Sequence, residues 1–183
     1  MPSSGPELPE TPKVTRVTLG QRLTERLGRT PRGATALVRL FGLTKIPLLW
    51  FVRPEVLALD EDQCVIKIRL RRRTRNHLGA MYVGVLAAGA DCAAGLLAMQ
   101  RIRVSGRRVD LLFANMDAAF LKRVEADAVF SCRAGPAILA GVDETIRTGA
   151  RVNIPVPVEI TVPSVLGHAP AARFVMTLTL KRR

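Results

Sequence analysis

Cysteine is scarce in this 183-residue chain, and its three copies, Cys64, Cys92 and Cys132, stand far apart. An odd number of isolated cysteines argues against a disulfide framework, and the spacing lacks the close pairs of a zinc site. Each cysteine lies in an apolar stretch, so we expect three buried thiols in a reducing compartment. The sequence predicts no metal site and no cofactor.

Aromatic residues are also few, at 4% of the chain, whereas 28 Lys and Arg residues oppose 15 Asp and Glu and give a formal net charge of +13. A strongly basic chain can bind nucleic acid or an anionic membrane. However, the cations are spread almost evenly, and few aromatic side chains are available to stack on bases, so nucleic acid is a disfavoured partner.

One basic cluster interrupts this even distribution, and it consists of Lys67, Arg69, Arg71, Arg72, Arg73 and Arg75. A cluster of this size is usually a solvated face. The sharper alternative is a docking site for a phosphorylated ligand, since guanidinium groups bind phosphate oxygens strongly.

The sequence also lacks a secretory signal at its start. Residues 1–17 are rich in Pro, Ser and Glu and contain neither a charged n-region nor an apolar h-region. We expect a disordered tail over residues 1–17 and a cytoplasmic protein. The segment Leu37–Val52 resembles a membrane span, but it carries charged residues and falls short of roughly 20 apolar residues, so no transmembrane segment is predicted. It is expected instead to pack on the domain, cover a pocket or touch a membrane surface.

Two accessory helices are predicted before the main domain. A capping-box pattern predicts a helix over residues 19–27, and Thr30 followed by Pro31 predicts the start of a second. Gly42 and Pro47 are expected to break that second helix.

Strand patterns then dominate the chain, interrupted by one helix pattern. Alternating apolar residues predict strands over residues 56–59, 64–71, 107–113, 126–133, 151–162 and 173–181. Pro155 and Pro157 require that the fifth of these strands has an edge, a bulge or a side without hydrogen bonds. The loop around His168 joins the last two strands, and no role is assigned to that histidine.

Asp91 is the most informative residue, because it is the only acid between Asp62 and Asp110. The surrounding segment Ala80–Met99 is rich in Ala, Leu, Met and Gly and predicts a long buried helix. An ionised carboxylate in such a place is unfavourable unless it is hydrated, paired or used in chemistry. Asp91 is therefore the first candidate for catalysis. The alternative is an ion pair with an arginine from the accessory helices or from a partner subunit.

The order of these elements predicts an α+β fold in which an antiparallel sheet wraps around one central helix. The domain boundaries follow from it: a tail over 1–17, accessory helices over 18–53 and the sheet domain over 54–183.

The segment from Asn76 to Asp91 resembles the hot-dog-fold thioesterase superfamily, in particular uncharacterised thioesterase-like proteins related to the phenylacetyl-CoA thioesterases. Those enzymes carry an Asn, a Gly three residues later, a His-Gly-Gly, and an Asp fifteen positions after the Asn. Asn76, Gly79 and Asp91 match this spacing, and Gly84 matches the last glycine. Tyr82-Val83 replaces the His-Gly pair.

The resemblance implies a hot-dog domain that assembles as a homodimer, or a dimer of dimers, with active sites at the interface. It also implies roles for particular residues. Asp91 would act as general base or nucleophile on the thioester, Asn76 would position the water or the carbonyl, and the backbone amides near Tyr82, Val83 and Gly84 would stabilise the oxyanion. Asn76 has a simpler alternative role as a helix cap.

Three functions follow as hypotheses, and hydrolysis of an acyl-CoA-like thioester leads them. In that hypothesis the substrate is bound by Gly79, Arg71, Arg73 and Arg75, with Arg101, Arg103, Arg107 and Arg108 as alternative partners for the cofactor phosphates. The second hypothesis is a hot dog that binds acyl ligands without hydrolysing them, which the Tyr82-Val83 replacement favours. The third is a basic protein that binds nucleic acid or an anionic membrane.

Overall fold

The computed structural model of the protein describes residues 30–182. These residues form five helices, namely α1 (Pro31–Thr44), α2 (Pro47–Val52), α3 (Val83–Val104), α4 (Gly135–Thr148) and α5 (Pro163–Leu166). Six strands accompany them: β1 (Glu55–Leu59), β2 (Cys64–Ile68), β3 (Val109–Phe120), β4 (Ala128–Cys132), β5 (Val152–Thr161) and β6 (Pro170–Arg182). The predicted tail and the helix predicted over residues 19–27 lie outside the described residues.

The six strands form one antiparallel sheet in the order β1-β2-β4-β5-β6-β3. Helix α3 lies across one face of this sheet and contacts β2, β3, β4, β5 and β6. This is the predicted α+β architecture of a sheet wrapped around a central helix. The strand alternation explains the packing, since Phe174, Met176, Leu178 and Leu180 of β6 all point into the core and are almost fully buried.

Helix α3 begins three residues later than predicted and continues to Val104. Its start is delayed because the backbone amides of Met81 and Tyr82 donate to the carbonyls of Val124 and Thr74, at 2.8 and 2.9 Å. Tyr82 is therefore extended and forms the N-cap. Among the described helices, α3 is the one that is long and apolar enough to cross a membrane. However, 56% of its most apolar stretch is buried inside this fold.

Helix α4 contradicts the prediction that only strands follow the central helix. It packs beside α3 and against β5 and β6, and its residues Ile138 and Val142 are fully buried. The signal was present in the sequence as Pro136 in the first turn, apolar residues three and four positions apart, and Gly149 as a left-handed C-cap with φ of 71°. The sheet is thus covered by two helices.

The accessory helices confirm the start predicted at Thr30, whose hydroxyl accepts a hydrogen bond from the Gly33 amide at 3.2 Å. Gly42 was predicted to break this helix, and that prediction is wrong. Gly42 lies inside α1, where a Cβ would come within 2.6 Å of the Trp50 backbone nitrogen, so glycine lets α1 and α2 pack closely. Pro47 does interrupt the helical segment and opens α2.

Strand β5 confirms the expectation for its prolines. Pairing with β4 covers Val158 to Thr161 only, so Pro155 and Pro157 have β6 as their single neighbour. The missing amide hydrogens of the two prolines thus leave the β4–β5 ladder intact.

Strand β3 extends seven residues beyond its predicted end at Phe113 and forms an edge of the sheet. It pairs with β6 along its length and has no neighbour among residues 30–182 on its other side. Apolar side chains on this strand are exposed, including Leu112, Met116 and Phe120. A long edge strand of this kind is a template for pairing with another chain.

Two glycines of α3 provide a matched test of core packing. A Cβ at Gly89 would collide with the ring of Phe130, which is fully buried on β4, whereas a Cβ at Gly95 would make ordinary contact with Phe113 at 3.8 Å. Both substitutions to alanine gain the same helix propensity, so their difference isolates the collision. We expect Gly89→Ala to be less stable than Gly95→Ala by about 1–3 kcal/mol in denaturant unfolding. Equal stabilities would mean that the Phe130 ring moves aside freely.

Candidate functional site

Asp91 lies on α3 at a wall shared by two cavities. The smaller cavity, of about 400 Å³, is bordered by Leu48 of α2, Gly84 of α3 and the β3 segment from Phe113 to Met116. The larger cavity, of about 740 Å³, lies between α1, α3 and the start of β3. We call it the apolar cavity, because its lining includes Leu37, Val38, Phe41, Ile46, Leu49, Leu59, Leu96, Met99, Leu111 and Phe113.

The environment of Asp91 alters its acidity. Burial raises the pKa of Asp91 above its ordinary value of 3.8, because the apolar surroundings disfavour the charged carboxylate. No hydrogen bond or ion pair to this carboxylate exists among residues 30–182. Asp91 therefore forms no ion pair with an arginine of α1 or α2. Such a pair was one of the alternatives that the sequence left open. A partly buried, unpaired carboxylate beside a cavity is the arrangement expected of an acid or base in catalysis.

The N-terminus of α3, two turns before Asp91, carries two backbone donors without acceptors among the described residues. The amides of Val83 and Gly84 have no acceptor among the described residues, and Gly84 borders the smaller cavity together with Asp91. The Tyr82 amide, which was predicted to share the oxyanion role, is instead occupied by the Thr74 carbonyl. Two of the three predicted amides are thus available.

The Tyr82 side chain lies over Gly84. A Cβ at Gly84 would come within 2.7 Å of the Tyr82 ring, although the ring itself is half exposed. Glycine at this position therefore makes room for the Tyr82 ring.

Asn76 belongs to the turn that precedes α3. Its side-chain oxygen accepts a hydrogen bond from the Leu78 amide at 2.9 Å, and its carbonyl accepts one from the Gly79 amide at 3.1 Å. Gly79 has φ of 84°, a conformation that glycine adopts without strain. Asn76 thus caps this turn rather than α3, and neither Asn76 nor Gly79 borders the cavities beside Asp91.

The predicted substrate-binding arginines are separated from Asp91. Arg71 and Arg73 line a third cavity of about 370 Å³, which we call the arginine cavity and which is also bordered by Arg39, Trp50, Val52, Arg53, Glu55 and Arg69. Arg75 lies outside it and pairs through its backbone with Met81. Among the alternatives, Arg103 borders the apolar cavity, and Arg101 is buried in an ion pair with Glu61 at 3.5 Å.

The three cysteines are buried free thiols, as predicted. Burial, and secondarily the charge of Asp91, raise the pKa of Cys92 to about 12. Cys92 borders the apolar cavity but stays protonated at neutral pH, which removes it as a nucleophile. Among residues 30–182, no three His, Cys, Asp or Glu side chains are placed to hold a metal ion.

A protein-family model for a domain of unknown function, DUF4442, matches residues 33–169. The chain belongs to the DUF4442 family. In this DUF4442 protein the match begins in α1 and ends just before β6, so it includes both the apolar cavity and the arginine cavity. A comparison with curated proteins found no match.

Solved structures share the fold of this DUF4442 protein at low sequence identity. A protein of unknown function from Chlorobaculum tepidum superposes with a TM-score of 0.73 at 15% identity, covering 85% of this chain and 99% of its own. A protein of unknown function from Pseudomonas aeruginosa, called a probable thioesterase, gives 0.67 at 18% identity and covers 81% and 96%. The zebra fish thioesterase superfamily member 2 gives 0.59 at 13% identity and covers 84% and 97%.

These similarities confirm the predicted hot-dog fold. Sequence reasoning missed two parts of the candidate site. The β3 wall was missed because the strand was ended too early, and Arg39 and Arg53 were missed because they are distant in sequence from the basic cluster that they join.

Proposed function

We propose that this DUF4442 protein hydrolyses an acyl thioester, with Asp91 as general base. The observation that carries the proposal is the Asp91 carboxylate, which is unpaired among the described residues, has a raised pKa and borders two cavities. A base with a pKa closer to the working pH transfers protons more effectively. The thioesterase names of structurally similar proteins support the same reaction class.

The reaction needs a donor for the oxyanion as well as a base, and one protomer cannot supply both. Val83 and Asp91 are eight residues apart in α3, so their positions differ by about 12 Å along the helix axis at 1.5 Å per residue. A thioester carbonyl cannot contact both groups across that distance. We therefore propose that each site combines the Val83 and Gly84 amides of one protomer with the partner subunit's Asp91.

The exposed edge of β3 supports a homodimer of this kind. Pairing of β3 with a second copy would satisfy its open backbone groups and bury Leu112 and Met116. Since β3 also borders both cavities beside Asp91, the dimer interface would adjoin the proposed site.

The proposed chemistry then follows from the positions of these groups. The carboxylate removes a proton from water, the water oxygen attacks the thioester carbon, and the carbonyl oxygen becomes an oxyanion held by the two helix amides. When the oxyanion collapses, the carbon–sulfur bond breaks and the thiolate takes the proton from Asp91. In the nucleophilic variant, the carboxylate attacks the thioester carbon, and the carbon–sulfur bond breaks to release the thiolate. Water then hydrolyses the resulting anhydride, which regenerates the Asp91 carboxylate, and the proton released neutralises the thiolate.

The apolar cavity supports an acyl group as the part of the substrate bound next to Asp91. Its wall is formed by aliphatic and aromatic side chains of α1, α3 and β3, which favour a hydrocarbon ligand. An acyl-CoA-like thioester in the cytoplasm is the proposed substrate, and the reaction as written needs no cofactor.

A second candidate function is acyl-ligand binding without hydrolysis. The position of the Tyr82 ring over Gly84 favours it, because this ring occupies space through which a substrate would approach the helix amides. Ligand binding without turnover is the outcome that this candidate predicts.

Thiol release from acyl-CoAs of increasing chain length tests the proposal. We expect kcat/KM to rise with chain length until the acyl group fills the apolar cavity, because each buried methylene adds about 0.8 kcal/mol. Acetyl-CoA serves as the control with little apolar surface. Measurable binding of long acyl-CoAs without any thiol release would support the second candidate instead.

A further inference from the structure

The arginine cavity has far more positive than negative charge. Five arginines border it, and Glu55 is the one carboxylate in its lining. Glu55 already contacts three cations, Arg39 at 3.9 Å, Lys67 at 3.2 Å and Arg69 at 2.8 Å. The remaining three, Arg53, Arg71 and Arg73, have no carboxylate partner among residues 30–182.

Two guanidinium groups of this cavity hold buried donors without acceptors. The Nε atoms of Arg39 and Arg73 are shielded from solvent, and neither has a hydrogen-bond partner in the described part of the chain. Burial and the neighbouring charges of Arg53 and Arg71 lower the pKa of Arg73. A buried donor without a partner is unfavourable, so an anion that enters the cavity would relieve this deficit.

Arg53 provides an independent sign of a binding role. It is the one non-glycine residue among residues 30–182 with a positive φ, at 51°, and it ends α2 in the left-handed conformation. Its guanidinium lies 5.4 Å from the centre of the Trp50 ring, which holds it at the cavity. The left-handed conformation is common where a helix ends, but it is uncommon at residues other than glycine, and such residues cluster at functional sites.

We infer that the arginine cavity binds the phosphate group of a phosphate ester or a pyrophosphate. Planar guanidinium groups bind phosphate oxygens through paired hydrogen bonds, and a multiply charged anion balances several cations at once. A ligand with a single carboxylate would leave most of the charge on Arg53, Arg71 and Arg73 unbalanced. This site is separate from the Asp91 cavities and does not depend on thioester hydrolysis.

Calorimetric titration with pyrophosphate at constant ionic strength tests the site. Arg53→Gly and Arg73→Gln should each weaken binding by about tenfold or more, since hydrogen bonds to charged groups contribute that much. Glycine accepts a φ of 51° without strain, so Arg53→Gly removes the guanidinium and keeps the backbone. The double variant Arg133→Gln/Arg151→Gln removes two exposed charges elsewhere and should leave the affinity within about twofold.

Glu55→Gln should change the affinity for pyrophosphate in the opposite direction. Loss of this carboxylate frees Arg39, Lys67 and Arg69 and removes repulsion of the ligand, so pyrophosphate should bind about tenfold or more tightly. The thermal midpoint of this variant should fall in phosphate-free buffer and recover when pyrophosphate is added. A purely structural role of the ion pairs predicts the fall without the recovery.

The source of the phosphate is resolved by two further titrations. Tight binding of ADP in solution would identify a soluble phosphate ester, whereas sedimentation with phosphatidylcholine vesicles only when they contain phosphatidic acid would identify a lipid headgroup. Both results support the phosphate site if Arg53→Gly weakens this binding by about tenfold or more. Absence of binding to pyrophosphate, ADP and both vesicle types, or binding that Arg53→Gly leaves unchanged, would overturn the inference.

Discussion

Asp91→Asn is expected to lower kcat/KM for thioester hydrolysis by about 10²- to 10⁴-fold, the range by which a positioned general base accelerates a reaction. The substitution keeps the shape of the side chain and removes its capacity to accept the proton from water. The wild-type pH profile should also show an acidic limb above the ordinary pKa of an aspartate, because burial raises the pKa of Asp91. This limb should be absent from the residual activity of the variant.

Asp143→Asn is the matched control, since Asp143 is exposed on α4 and far in sequence from the cavities. It should retain wild-type activity. Full activity in Asp91→Asn would contradict the assignment of the base, and the acyl-binding function would then explain the cavities better.

Asp91→Asn should also change the stability of the protein, and this effect depends on pH. Because the folded-state pKa of Asp91 is raised, the folded protein binds a proton here more tightly than the unfolded chain does. The stability that this contributes is present below the ordinary pKa of 3.8 and is lost as the pH rises through the raised value. Asp91→Asn should therefore be more stable than the wild type at neutral pH, and the difference should vanish in acid, as followed by thermal unfolding.

Val83→Pro is expected to lower kcat by about 10²- to 10³-fold, the loss seen when one oxyanion donor is removed. Val83 occupies the first position of α3, and Tyr82 before it is already extended, so proline fits the backbone there. The substitution thus deletes a single amide hydrogen with little effect on the fold. Val83→Ala keeps that hydrogen and removes the exposed side chain, and it should remain active.

A mixture of Val83→Pro and Asp91→Asn tests whether the site is shared between protomers. Each heterodimer would combine the intact amide of one chain with the intact carboxylate of the other. After subunit exchange at equal concentrations, activity should recover to about a quarter of the wild-type value. If both groups act within one protomer, no heterodimer contains an intact site and the mixture stays inactive. That result would exclude the proposed dimeric site.

The sheet and α3 were predictable because apolar alternation in β5 and β6 and the long apolar pattern of α3 are local signals. Helix α4 was less apparent, because its apolar residues are diluted by glycines and by a charged exposed face. The start of α3 could not be read from composition. It depends on hydrogen bonds from Met81 and Tyr82 to Val124 and Thr74, and the former links segments more than forty residues apart.

The candidate site shows a similar division. Asp91 was identified from the sequence because a lone acid in an apolar helix is conspicuous. The amides of Val83 and Gly84 have no acceptor among the described residues and are available for the proposed oxyanion role. The arginine cavity could not be assembled in advance, because Arg39 and Arg53 come from α1 and the end of α2, and only the packing of these helices brings them to Arg71 and Arg73.

Helix α1 separates the choice of acyl group from the proposed chemistry. One wall of the apolar cavity comes from α1, whereas the proposed base and oxyanion donors come from α3. Selection of the acyl group and the chemistry performed on it would therefore reside on different parts of the chain. Substitutions in α1, such as at Leu37 or Phe41, would change which acyl lengths fit without disturbing α3. This protein could thus be changed to accept a different acyl group while the helix that carries the proposed base stays the same.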